Sequence, residues 1–211
     1  MSAAGGLPQL RPEDFGPEVP RRGSKLFAAL CGLLLKALGW RVVGELPKEG
    51  RAVVIAAPHT SNVDGVIGLC AFKYMRLDVR FMVKHSLFRG PVGPLLRALG
   101  AFPVNRQAGS AAYGTKAMFK GDERFWLGIT PEGTRTGARQ WKTGFYRIAT
   151  ELNVPIIVVT LCYRRKEAQV LKIFHPSGER ERDLEAIYAL LDHVVPRHPE
   201  RLSEPLKRRR A

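Results

Sequence analysis

A histidine and an aspartate five positions apart are the first residues whose types and spacing could do chemistry. His59 and Asp64 stand directly after an apolar run at residues 52–57. With His59 in a loop and Asp64 in the first helical turn, the carboxylate can accept a hydrogen bond from one imidazole nitrogen. The other nitrogen is then free to take a proton, so the pair predicts a general base.

The same segment also fits a structural role. Ser61 and Asp64 have the spacing of a capping box, in which the carboxylate only binds backbone amides at the start of a helix. A single histidine after a strand is also often structural. The sequence leaves both interpretations open.

Two further segments carry charged residues beside short apolar runs. Residues 100–106 end in Arg106, whose guanidinium offers a planar set of donors suited to a phosphate. Residues 130–135, Thr-Pro-Glu-Gly-Thr-Arg, follow the apolar run at residues 124–129. Taken alone, an arginine such as Arg106 is more commonly a solvated surface residue, and residues 130–135 are more simply a plain turn.

The elements that must position these residues follow an alternating pattern. From residue 51 onward, short runs typical of strands alternate with longer helical ones, which predicts one α/β domain with a mainly parallel central sheet flanked by helices. The predicted strands are residues 52–57, 79–83, 124–129, 154–163 and 169–174, with a short one within 100–106. The predicted helices are residues 63–74, 93–99, 110–120, 144–152 and 183–195.

The two ends of the chain lack the regularly spaced apolar residues that a buried helix or strand would show. We therefore expect a flexible N-terminal tail at residues 1–23, a domain at residues 24–195 and a basic C-terminal tail at residues 196–211. Residues 24–40 are strongly apolar, but their uncharged run is shorter than the roughly 20 residues that a bilayer span needs. They predict an N-terminal amphipathic helix at a membrane interface or, alternatively, a core helix packed on the sheet.

Composition limits the partners and the setting. The 211 residues carry a net charge of +15, which favours nucleic acid, an acidic bilayer or phosphate-bearing molecules. The three cysteines are far apart and form no C-x-x-C pair, which argues against a disulfide framework and favours a reducing compartment. The N-terminal residues do not resemble a secretory signal. The histidines are scattered, so we expect no metal site.

Four blocks in order resemble the glycerophospholipid acyltransferase family, which includes the 1-acylglycerol-3-phosphate acyltransferases. That family carries a His and an Asp with four residues between them, a Gly-x-x-Phe-x-x-x-Arg-like block, a Pro-Glu-Gly-Thr-Arg block and a Val-Pro-Ile strand. The corresponding residues here are His59 to Asp64, 100–106, 131–135 and 154–157, and residues 142–144 resemble a further Lys-x-Gly element. Pro58 and Val63 depart from many relatives, which leaves the exact substrate open.

The resemblance implies an acyl transfer. His59 and Asp64 would deprotonate an acceptor hydroxyl, which then attacks the thioester of acyl-CoA or acyl-carrier protein, and no cofactor is implied beyond this donor. The implied acceptor is a lysophospholipid, most simply 1-acyl-sn-glycerol-3-phosphate giving phosphatidate, with a lyso-ornithine lipid as an alternative. The implied substrate-binding residues are Arg106, Glu132, Gly133, Thr134, Arg135 and Lys142. Beside an anion, Glu132 would orient an arginine or a hydroxyl.

An enzyme that handles such lipids needs a membrane foothold. We expect a peripheral protein on the cytoplasmic, inner face of the cell membrane, held by residues 24–40 and by attraction of its basic residues to an anionic surface. The alternative from another class is a nucleic-acid-binding protein, which the net charge would suit. Because no nucleic-acid-binding motif or aromatic platform is recognisable, we expect no nucleic-acid partner. A catalytically inactive lipid-binding relative is a third possibility.

Overall fold

A seven-stranded sheet forms the centre of the computed structural model, which describes residues 6–91, 93–104 and 124–210. The strand order is β1-β7-β6-β2-β5-β3-β4, and β6 with β7 is the antiparallel pair in an otherwise parallel sheet. The strands are β1 (Arg41–Gly44), β2 (Arg51–Ala56), β3 (Val79–Lys84), β4 (Ala101–Val104), β5 (Phe125–Ile129), β6 (Ile156–Cys162) and β7 (Glu167–Phe174). The predicted α/β fold with a mainly parallel sheet is confirmed.

Helices cover both faces of the sheet. They are α1 (Lys25–Ala37), α2 (Asn62–Tyr74), α3 (Gly93–Ala98), α4 (Gly144–Leu152), α5 (Arg180–Leu190) and α6 (Glu204–Arg208). Strand β1 was not predicted, because four residues are too few for a readable alternation. Arg106 and the helix predicted at residues 110–120 lie outside the described residues.

The central strand β2 shows why the sheet has two cores. Val53 and Ile55 face a core that α4 and α5 share, whereas Ala52 and Val54 face a second core that includes α2. All four of these side chains are fully buried, as a near-continuous apolar run predicts for a strand covered on both faces. The loop after β2 is therefore anchored on a rigid strand.

Helix α1 packs on α2 through a narrow stripe of side chains. Ala28, Cys31 and Leu35 are buried, and a Cβ at Gly32 would lie 2.7 Å from the Tyr74 ring, so the glycine permits the close approach. Other large apolar side chains of α1 are exposed, namely those of Leu26, Phe27, Leu30, Leu33 and Leu34. Across the described parts of the chain, no helix has the length and apolarity needed to cross a membrane.

The N-terminal residues from 6 to 23 pack on the domain, whereas the sequence pattern predicts a flexible tail there. Leu10, Phe15 and Val19 are buried in the α2-side core. The Leu10 amide also donates to the Val42 carbonyl at 2.9 Å, which pairs this segment with the edge strand β1. Each of these apolar residues is isolated in the sequence and packs separately on the domain. The segment therefore has no hydrophobic periodicity that could predict this packing.

The C-terminal residues from 196 to 210 also pack on the domain, whereas the sequence pattern predicts a basic tail over residues 196–211. Leu202 and Leu206 are buried in the core beside α5, and the Arg210 guanidinium donates to the Leu191 and Val194 carbonyls. Leu202 lies just before α6 and Leu206 lies on it, and both side chains pack into this core. We call residues 195–204 the C-terminal strap.

Candidate active site

The loop between β2 and α2 is shaped by its own polar residues. Ser61 caps α2 and its hydroxyl accepts from the Val63 amide at 3.1 Å. The Asp64 Oδ2 atom accepts from the Thr60 amide at 2.8 Å and from the Ser61 amide at 2.9 Å. The capping box that the sequence allowed is therefore present.

The same carboxylate also faces the histidine ring. Asp64 Oδ2 lies 3.4 Å from His59 Nδ1, and the side chains are 6% and 16% exposed. This distance is longer than the usual N–H···O range of about 2.7–3.2 Å, and such contacts often shorten only when substrate binds. The two interpretations of the segment are thus compatible, since one oxygen atom caps the helix and orients the ring.

The Asp64 carboxylate is held ionised. Burial alone would raise its pKa, but hydrogen bonds from the His59 ring, the Tyr163 hydroxyl and two backbone amides outweigh burial and keep the pKa below its ordinary value. The result is a fixed negative charge beside the imidazole. Such a charge stabilises the imidazolium that forms when the ring takes a proton.

Glu132 contacts the loop between β2 and α2 that carries His59, which we call the histidine loop. It lies in the loop after β5, whose carboxyl end meets that of its parallel neighbour β2. The Glu132 Oε2 atom accepts from the His59 amide at 2.5 Å, and the carboxyl also interacts with the Ser203 hydroxyl. We expected Glu132 to orient an arginine or a hydroxyl in the acceptor site. Its contacts with the His59 amide and with Ser203 were not predicted, and its role in the acceptor site stays a prediction.

The Glu132 carboxyl is a poor place for a negative charge. It is 4% exposed, and its Oε1 atom has no hydrogen-bond partner among the described residues. Burial raises its pKa to about 7, although hydrogen bonds from the His59 amide and Ser203 partly offset this effect.

This raised pKa predicts a pH-dependent stability. Between about pH 4.5 and 7 the folded protein holds the Glu132 proton more tightly than the unfolded chain, so this group's contribution to stability falls as pH rises through that window. The Glu132→Gln variant has no such proton to lose. From pH 5 to pH 8, its free energy of unfolding should rise relative to wild type, by up to about 3 kcal/mol. Urea unfolding at both pH values measures the difference, and an equal difference at both would contradict the assignment.

The C-terminal strap also contacts the histidine loop. The His198 amide donates to the Thr60 hydroxyl at 3.2 Å, and the Arg201 guanidinium donates to the Thr60 carbonyl at 3.4 Å. Ser203 accepts from the Trp141 indole at 3.0 Å. The strap therefore contacts both the histidine loop and the loop after β5, a role that sequence reasoning missed.

A large cavity adjoins the histidine. Its volume is about 820 Å³, within the range of about 300–1,000 Å³ that is usual for small-molecule sites. His59 and Asp64 line it together with many apolar side chains from α2 and the strands. The apolar lining includes Met75, Trp126, Ile157, Val159, Leu161 and Val170.

Two cations line the cavity with His59. Lys142 was expected from the sequence, whereas Arg147 was not. Arg147 lies on α4, five residues after Lys142. Its position in the first turn of a predicted helix, close to Lys142 in the sequence, was the signal that could have identified it as a residue of the site. The cavity thus combines a long apolar surface with positive charge.

The other expected substrate-binding residues are less closely grouped. Gly133 has a positive φ of 64° and lines the cavity beside Lys142, whose side chain would lie 3.0 Å from a Cβ at that position. The Thr134 hydroxyl pairs with that of Thr136 at 3.0 Å. Arg135 is exposed. Neither Thr134 nor Arg135 is part of the cavity lining.

A metal centre would need several ligands close together. Within the described residues, no group of three or more His, Cys, Asp or Glu side chains has that arrangement. The arrangement of the His59 ring beside the Asp64 carboxylate is one that can carry out proton transfer.

The sequence matches a protein-family model and a curated relative. The family model described as Acyltransferase matches residues 40–163. Human 1-acyl-sn-glycerol-3-phosphate acyltransferase beta (Homo sapiens) is 32% identical over 139 residues, which cover 62% of this chain and 49% of that protein. The chain thus spans about half the length of this curated relative.

Comparison with solved structures shows a shared fold. The crystal structure of the 1-acyl-sn-glycerophosphate (LPA) acyltransferase PlsC from Thermotoga maritima superposes with a TM-score of 0.54. The alignment covers 82% of this chain and 81% of that chain, at 17% sequence identity.

Proposed function

The chain belongs to the Acyltransferase family, and on that basis we propose that it is an O-acyltransferase that acts on lysophospholipids. It moves a fatty acyl group from acyl-CoA or acyl-carrier protein to the free hydroxyl of the acceptor. The acceptor is most simply 1-acyl-sn-glycerol-3-phosphate, and the product is then phosphatidate. The donor is a substrate, and the reaction needs no cofactor.

One observation carries this proposal: the His59 ring faces an ionised Asp64 beside an apolar cavity. In the proposed reaction the free imidazole nitrogen takes the proton of the acceptor hydroxyl. The hydroxyl oxygen attacks the thioester carbonyl carbon, and the C–S bond breaks as the ester forms. The departing thiolate then receives the proton from the imidazolium, which restores neutral His59.

The cavity supplies the binding surface for the acyl chain. Its lining is mostly apolar between α2 and the sheet, where Met75 and Trp126 lie. Transfer of a hydrocarbon chain from water into such a surface is favoured by about 0.8 kcal/mol per buried CH₂ group. A long acyl chain in this cavity would bring its carbonyl carbon to His59.

The acceptor phosphate is held by cations near His59. Lys142 and Arg147 both line the cavity, and we assign Arg135 and Arg106 to the same role from the family resemblance. Arginine and lysine bind phosphate through charge-assisted hydrogen bonds.

Loss of one phosphate contact should weaken acceptor binding. We expect Lys142→Met to raise the acceptor KM by about tenfold, with a smaller change in kcat, because a hydrogen bond to a charged group contributes about 1.5–3 kcal/mol. Steady-state kinetics with varied lysophosphatidate measures this effect. Lys172→Met is the matched control, since Lys172 pairs with Glu45 and does not line the cavity, so its replacement should leave KM unchanged. An unchanged KM in Lys142→Met would remove Lys142 from the phosphate site.

Helix α1 supplies the membrane foothold in this proposal. Leu26 is 73% exposed and Leu33 is 65% exposed. Several large apolar side chains exposed in one patch are unusual on a soluble protein. The exposed apolar side chains on and next to α1 are those of Leu26, Phe27, Leu30, Leu33, Leu34 and Leu38. This face and the basic surface support peripheral binding to an anionic leaflet on the cytoplasmic side.

Charges on this face should abolish membrane binding. We expect the double variant Leu30→Glu/Leu33→Glu to lower partitioning onto anionic phosphatidylglycerol vesicles by more than about tenfold, because burial of each leucine side chain contributes about 1.5–3 kcal/mol. Vesicle flotation measures the bound fraction. Leu7→Glu is the control, since Leu7 is also exposed but lies outside α1. Equal flotation of the double variant and wild type would rule out α1 as the foothold.

A substrate panel tests the function itself. The purified protein is offered radiolabelled acyl-CoA or acyl-carrier protein together with lysophosphatidate, other lysophospholipids or a lyso-ornithine lipid, and products are separated by thin-layer chromatography. We expect labelled phosphatidate from the wild type. Acylation of another lysophospholipid alone would correct the acceptor, and acylation of only the ornithine lipid would overturn the lysophospholipid assignment. No transfer to any acceptor, with tight salt-dependent binding to DNA or RNA, would overturn the enzyme assignment.

A further inference from the structure

A tyrosine at the end of β6 reaches the aspartate of the site. Strand β6 lies beside β2 and runs parallel to it, so residues that follow the two strands meet at the same edge of the sheet. The Tyr163 hydroxyl donates to Asp64 Oδ1 at 2.6 Å. Burial and the neighbouring carboxylate raise the pKa of this hydroxyl, so it remains a proton donor at physiological pH.

The two oxygen atoms of Asp64 have separate partners. Oδ2 accepts from the Thr60 and Ser61 amides and faces the His59 ring. Oδ1 accepts from Tyr163. The terminal torsion of an aspartate has a broad energy profile, so the orientation of the carboxylate is set by these contacts. The tyrosine is the side-chain donor on the oxygen that the helix cap does not use.

The tyrosine is itself held by two distant segments, one at Trp40 and the other the C-terminal strap. Its ring packs edge-on against Trp40, with ring centroids 5.0 Å apart. The Arg197 guanidinium lies 5.8 Å from the ring centroid. The Tyr163 amide donates to the Val195 carbonyl at 2.9 Å. A hydroxyl held in this way has little freedom to leave the carboxylate.

We propose that Tyr163 is a positioning residue, whose hydroxyl keeps the Asp64 carboxylate turned toward the His59 ring. This inference rests on the proposed function, because it assigns the tyrosine a role in the same proton transfer. It adds a residue that acts through Asp64 and does not itself touch the reacting atoms.

The Tyr163→Phe variant removes the hydroxyl and keeps the ring against Trp40. We expect kcat for acyl transfer to fall about 10- to 100-fold, with both KM values within about twofold of wild type, since a hydrogen bond to a charged group is lost. Tyr146→Phe is the matched control. It removes a buried tyrosine hydroxyl that donates to Asp183 at 2.8 Å, away from His59, and should leave kcat unchanged.

A double-variant cycle tests whether the tyrosine acts through Asp64. In an Asp64→Asn background, Tyr163→Phe should lower kcat by a much smaller factor than it does in the wild type. The reason is that the effects of substitutions at two contacting residues are not additive. An equal loss in both backgrounds, or a wild-type kcat in Tyr163→Phe, would overturn the inference.

A spectroscopic readout separates this inference from the proposed function. The ¹⁵N shifts of the His59 ring report its tautomer without any turnover. We expect Nδ1-protonated His59 in the wild type and in Tyr146→Phe, and a mixture of tautomers in Tyr163→Phe. If the wild type transfers no acyl group but the tautomer changes as expected, the function fails and the positioning role stands. Unchanged shifts in Tyr163→Phe would refute the positioning role even if the wild type is active.

Discussion

Replacement of His59 by alanine should lower kcat for acyl transfer by about 10²- to 10⁴-fold, the contribution that a positioned general base usually makes. A lipid hydroxyl is too weakly acidic to ionise unaided near neutral pH. No other imidazole lines the cavity among the described residues, so the variant would have no substitute base there. Steady-state turnover with saturating donor and acceptor measures the loss.

The fold should survive this change. The His59 backbone amide still donates to Glu132, and the cap on α2 uses Ser61 and Asp64. His175→Ala is the control for loss of a histidine, since His175 is exposed after β7 and its replacement should leave kcat unchanged. Retained turnover in a folded His59→Ala protein would refute the assigned base.

Asp64→Asn should have the second largest effect, a fall in kcat of about 10²- to 10⁴-fold. The amide oxygen can still accept from the Thr60 and Ser61 amides, so the helix cap is kept. The negative charge is lost, however, and with it the stabilisation of the imidazolium. In the serine protease triad the same Asp-to-Asn change lowers kcat about 10⁴-fold. Steady-state kinetics measures the loss, and circular dichroism checks that α2 is intact.

A second aspartate provides a matched control for this variant. Asp183 accepts from the Tyr146 hydroxyl and from Ser177, and it is buried like Asp64. Asp183→Asn should lower the free energy of unfolding but leave kcat near that of wild type. If both variants lost activity equally, the effect of Asp64 would be one of stability alone.

Local sequence could predict the histidine and its partner because the geometry is local. A strand, a short loop and a capped helix fix the separation of His59 and Asp64 within six residues. The alternating apolar pattern likewise predicted each strand of the described sheet except β1, and the helix at Gly144–Leu152. These features depend on neighbours in the chain, which a periodic pattern records.

The supporting contacts of the site depend on distant residues. Tyr163 and Asp64 are 99 positions apart, and His198 and Thr60 are 138 positions apart. A single polar residue at the end of a strand carries no signal of its partner. Sequence reasoning therefore found the histidine pair but missed the tyrosine and the C-terminal strap.

The two packed ends of the chain were missed for a related reason. A segment rich in proline and charge usually has too little apolar surface to offset the entropy lost on ordering. Here a few apolar residues, Leu10, Phe15 and Val19 at one end and Leu202 and Leu206 at the other, fill positions on a surface that already exists.

Chemical rescue offers the most direct test of the proton transfer at His59. The His59→Gly variant leaves space beside Asp64 that free imidazole can enter. We expect turnover of this variant to be very low alone and to increase with the concentration of neutral imidazole, while Asp64→Asn gains nothing from the same additions. A His59→Gly protein that transfers acyl groups at the wild-type rate without imidazole would contradict the assignment of His59 as the base.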